Sequence, residues 1–172
     1  MKPLLSISAV AALMLFVGTP AHGDHHNEGV QRVGAWFDAH ECAICKHLGE
    51  KPELMQAMRW ETHLLKNGMM MVAVAPEELR AEYAACCKSM KNASEEIADG
   101  AEAESICGYC DSFTELVHDG AVLQELVTAV GSVTLVTSDN PSMVEKIHVH
   151  AKRTQEEEAK LLATMLAESS DD

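Results

Sequence analysis

From Gly29 onward the apolar positions fall into regular periods. Val30, Val33, Phe37, Ile44 and Leu48 recur at helical intervals, which predicts an amphipathic helix stopped by Gly49. Pro52 opens a short helical turn carrying Leu54, Met55 and Met58. Asn67-Gly68 then stands between two apolar runs, the strongest short-range hairpin signal, and predicts antiparallel strands over 59–65 and 69–75. Pro76, with Glu77 and Glu78 behind it, starts a helix through Leu79, Tyr83, Cys86 and Cys87 to about Met90. Residues 92–100 are polar and are expected to contain a break.

The same order follows again. Ile106, Tyr109, Cys110, Phe113, Leu116 and Val117 share one helical face, and His118-Asp119-Gly120 ends it. A second hairpin is expected over 121–129 and 132–137, turning at Val130-Gly131. Asn140-Pro141 opens a last helix with Met143, Val144, Ile147, Ala151, Leu161, Leu162, Met165 and Leu166. The expectation is an α+β fold of two helix–hairpin–helix (αββα) pseudo-repeats, about 29–92 and 100–168. Their hairpins would join into a four-stranded antiparallel sheet with packed helices.

The ends read differently. Lys2, the uncharged apolar run Leu4–Val17, and small residues up to Gly23 make residues 1–23 a secretory signal peptide. The run is shorter than the ~20 residues of a membrane span, so no stable membrane insertion is expected. The expected product is periplasmic or secreted: one domain over 24–168, with an acidic tail at 169–172. The net charge of −14 argues against nucleic acid and anionic membrane surfaces, and suits cations.

Six cysteines change the picture. Four form two C-x-x-C doublets, Cys42/Cys45 and Cys107/Cys110, each expected on the helix before a hairpin, with matched wheel positions for Cys45 and Cys110. A two-fold arrangement would bring them into one four-sulfur site for a thiophilic ion, Zn or Cu. Thiol–disulfide exchange by the same residues, or structural disulfides in an interaction module, are the alternatives. Neither doublet precedes a His, which excludes covalent haem attachment. The residues before Cys107 are helix-forming, against a thioredoxin-type strand, and the doublets lie much farther apart than the ~15–20 residues of a compact zinc ribbon.

Other ligands are candidates. His40 and His47 flank the first doublet. Cys87 aligns with His150 when the two hairpin glycines are superposed, and His148 lies two residues before it; a mixed sulfur–nitrogen site would use these three, although i and i+2 diverge on a helix. Cleavage after Gly23 would leave Asp24-His25-His26 as a new N-terminus, whose amine, amides and His26 ring suit Cu(II) and Ni(II). Met69-Met70-Met71 alternates faces in a strand, so core packing accounts for it better than metal ligation. No Gly-x-Ser-x-Gly, His-Glu-x-x-His or phosphate loop is present, so an enzyme is not expected. A metal ion is the expected partner, and a homodimer is compatible with the pattern.

Overall fold

A computed structural model describes residues 31–32, 35–101, 103 and 105–168. Elements follow in chain order: strand β1 (Gln31–Arg32), helices α1 (Lys46–Gly49) and α2 (Pro52–Ala57), strands β2 (Arg59–Leu65) and β3 (Gly68–Val74), a 3-10 turn (Glu77–Leu79), and helix α3 (Arg80–Ala98). Then come strand β4 (Ser105–Ile106), helix α4 (Gly108–His118), strands β5 (Val122–Val127) and β6 (Gly131–Thr137), and helix α5 (Pro141–Glu168).

The fold is α+β, with an antiparallel sheet in the order β2-β3-β6-β5. The hairpins join through β3 and β6, where Gly68 pairs with Thr137 and Val74 with Gly131. Each glycine sits where a Cβ would strike the backbone of the opposite strand, so the close approach of β3 and β6 requires hydrogen at both positions.

Pleating divides the methionines. Met69 and Met71 share a face with Val136, and Met70 points the other way. Met69 and Val136 pack under Leu116 of α4 and Met143, Ile147 and Ala151 of α5, all buried. A second cluster places Leu54 of α2 and Tyr83 and Cys86 of α3 beneath Met58 and Ala75. Helix α5 is tied to the sheet by polar contacts as well. Thr62 donates to Glu158 at 2.8 Å, and Gln155 donates to the Thr62 carbonyl at 2.7 Å. Burying Met143, Ile147, His150, Ala151 and Thr154 follows the period of one helical stripe.

Four expectations are corrected. Residues 35–45 are not helical; the chain turns there, and helix begins at Lys46. Asp38 explains the turn, since its Oδ1 accepts the backbone N–H groups of His40 and Glu41 at 2.9 and 2.8 Å. The residues just before Cys107 form β4, not helix, because they pair with β1 and the Ser105 carbonyl accepts from Ala43 N–H. Helix α3 continues past Met90 to Ala98, so the break expected within 92–100 comes only at Asp99–Gly100. Leu161 and Leu162 of α5 are exposed, not part of a buried stripe.

Candidate metal centre

The doublets meet because two distant segments lie side by side. β1 pairs in parallel with β4. The contact continues as Gly108 N–H donates to the Ala35 carbonyl, Tyr109 N–H to Trp36 and Ala43 N–H to Ser105, at 2.8–3.1 Å. The Ser105 hydroxyl donates to the Glu41 carbonyl. These main-chain bonds fix the 38–45 turn against the start of α4.

Both doublets then fold alike. Lys46 N–H donates to the Cys42 carbonyl and Asp111 N–H to the Cys107 carbonyl, each at 2.9 Å. Cys45 N–H points at Cys42 Sγ at 3.5 Å, and the backbone of Cys110 bonds Cys107 in the same way. In each pair a backbone N–H therefore supports the sulfur of the first cysteine, where it would stabilise a thiolate.

The four sulfurs of Cys42, Cys45, Cys107 and Cys110 lie within 4.8 Å of one another. Cys45 Sγ is 3.7 Å from Cys107 Sγ and 3.3 Å from Cys110 Sγ. A tetrahedral ion with bonds of ~2.3 Å needs edges of about 3.8 Å, so the cluster already has nearly the required size. Cys42 and Cys107 are fully buried, and Cys45 is half-buried. All six cysteines are free thiols.

The protons are shared unevenly. Hydrogen bonds from Cys107, Cys110 and Cys45 hold the Cys42 thiol far below its ordinary value. Cys107, supported first by Cys110, comes down to about 7. Cys45 and Cys110 are pushed up, chiefly as each faces the sulfur of Cys107. The group can carry some negative charge alone, but four thiolates together require a cation at the centre.

The remaining candidates lie elsewhere. His40 is exposed beside the Asp38 turn. His47 is half-buried, and its carbonyl accepts from Cys86 Sγ at 3.4 Å. Cys87 lines a cleft of about 340 Å³ between α3 and the β5–β6 hairpin. His148 Nε2 donates to the Leu65 carbonyl at 2.8 Å, and His150 Nδ1 meets Ser112 Oγ of α4 at 2.9 Å. Cys87, His148 and His150 are thus not drawn into one group among the described residues, as the divergence of i and i+2 on a helix requires. Asp24 and His26 lie outside the described residues.

Sequence reasoning missed the supports. Asp38 and Ser105 shape the first doublet's turn, and the Asx-turn pattern at Asp38 was the available signal. Tyr109, between the second pair, packs against Trp36, Phe37, Phe113 and His150 with ring centroids 5.1–6.3 Å away. Its hydroxyl donates to Met71 Sδ at 3.1 Å, which links the sulfur cluster to the sheet. No family model matches the chain, and neither does any curated protein or solved structure.

Proposed function

We propose that the chain is an exported, non-catalytic metal-binding protein that holds one Zn(II) ion through Cys42, Cys45, Cys107 and Cys110. The observation that carries this reading is the convergence of four sulfurs within 4.8 Å. A closed tetrahedron of four thiolates favours zinc over copper, and a closed site serves structure better than cargo release. The ion would staple the 35–45 turn to β4 and α4, a join otherwise made by a few main-chain bonds. Export rests on the charged start, apolar run and small residues of 1–23. The symmetric β3–β6 register supports reading the halves as αββα repeats, with the first helix of the first half broken into α1 and α2.

A second reading has its own observation. Cys45, half-buried, lies 3.3 Å from Cys110 Sγ. Loss of two protons and two electrons to an external disulfide would join them, and the centre would then exchange thiols instead of holding an ion.

Cys42→Ser and Cys107→Ser decide between these. Under the zinc reading each lowers zinc affinity by orders of magnitude and removes the single equivalent. Loss of half the metal in each variant would mean two separate sites. Unchanged metal content in both would remove the doublets as ligands.

A further inference from the structure

The four-stranded sheet has a second face, and it is apolar. Helices and buried clusters occupy the side of Met69, Met71 and Val136. The strand register puts Met70, Val72, Val133, Leu135, Val122 and Leu126 together on the other side. None of the six belongs to any of the three buried clusters. Val122 and Leu126 are each 53% exposed.

An antiparallel sheet with one solvated face alternates apolar and polar residues, whereas an unbroken apolar strand marks a sheet covered on both sides. β3 reads Gly-Met-Met-Met-Val-Ala-Val, without alternation. The sequence of β3 therefore already specifies a cover that the described residues do not supply.

We infer that the cover is a second copy of this chain, packed sheet against sheet about a two-fold axis lying between the two faces. Charge argues for this occupant. The chain carries a net −14, so two copies repel, yet the outward positions of β3, β5 and β6 hold no charged residue. Arg59, Glu61 and His63 lie on the same face but on β2, at its margin. An uncharged centre with a charged margin is how a dimer interface is built, and it keeps the acidic surfaces apart.

Size agrees. Strands ~4.8 Å apart with a rise of ~3.4 Å per residue give the four-stranded face, its charged β2 margin included, a flat footprint of about 450 Å², hence about 900 Å² for two copies. Side-chain relief adds to this and brings the contact to the ~1,000 Å² expected of a specific interface. Val72 and Val133 pair directly, as do Met70 and Leu135, so these four side chains form its centre.

Sedimentation analysis of the mature protein at micromolar concentration tests the inference. The wild type should run as a dimer, strengthened by added salt as repulsion is screened. Leu135→Lys, at the centre, should weaken association by about 100-fold or more while circular dichroism keeps its folded form. Val127→Lys is the control: Val127 is 85% exposed on edge strand β5 but belongs to the opposite face. It should leave the dimer intact. If Leu135→Lys fails to fold, the paired change Val72→Thr and Val133→Thr keeps strand-favouring shapes and should also weaken the dimer. A monomeric wild type, a dimer indifferent to both outer-face changes, or dissociation by Val127→Lys would each overturn the inference; the last would indicate pairing through the β5 edge.

Discussion

His150 should make the protein acid-labile by an amount that can be worked out. The side chain is 2% exposed, Nδ1 meets Ser112, and Nε2 is buried without a partner. Trp36, Tyr109 and Phe113 surround the ring at 5.1–6.0 Å. Burial pulls its pKa down from 6.5 to about 4. The folded imidazole is therefore neutral where the unfolded one takes a proton. The stability this gives is fully present above pH 6.5 and is lost as pH falls toward 4, because only the unfolded state gains charge across that window. At 1.36 kcal/mol per pKa unit the full loss is about 3 kcal/mol, and about 2 kcal/mol has gone by pH 5. Urea unfolding of wild type and His150→Phe at pH 8 and pH 5 measures it. Carboxylates act equally in both proteins, so the difference isolates the histidine. The variant should gain on the wild type by about 2 kcal/mol between the two pH values. An identical stability difference at both would refute the claim that the fold holds this ring neutral.

Three further outcomes follow from other parts of the molecule. Ile147→Ala removes a fully buried side chain between α5 and the sheet and should lower unfolding stability by about 3 kcal/mol in urea titration; a change below about 1 kcal/mol would contradict its place in the core. Gly131→Ala puts a methyl against the Ala73–Val74 backbone and should part β3 from β6, seen as faster amide exchange in both strands; unchanged exchange would count against the close crossing. Export with cleavage after Gly23 predicts an intact mass beginning at Asp24, and a chain beginning at His22 would remove the proposed Asp24–His26 copper site.

The sheet was legible in the sequence because its signals are local. Asn67-Gly68 and Val130-Gly131 mark turns between apolar runs, and β2 begins and ends where the pattern put it. The convergence of four cysteines was legible as a possibility, since two doublets of equal spacing preceded the two hairpins. The 35–45 segment was not. Its apolar spacing fits a helix, but Asp38 captures two N–H groups and other backbone bonds go to Ser105, Gly108 and Tyr109, far along the chain. Neither competitor appears in a helical wheel. Ala-Glu-Ala-Glu-Ser-Ile failed for the same reason: helix propensity there is weaker than the pairing of β4 with β1 and the bonds to Glu41 and Ala43. His40 and His47 adjoin a doublet in sequence, yet the four-sulfur group is made of cysteines alone. His148 and His150 bond to β2 and α4, on different sides of α5.

Four thiolates from two distant doublets holding one ion would leave a direct spectroscopic signature. X-ray absorption on protein purified under nitrogen and given one equivalent of Zn(II) reads it. Four sulfur neighbours at about 2.3 Å, with no nitrogen or oxygen bound to the ion, are expected. Fewer than four sulfurs around the ion, or zinc that remains hydrated in solution beside the folded protein, would contradict the four-thiolate site.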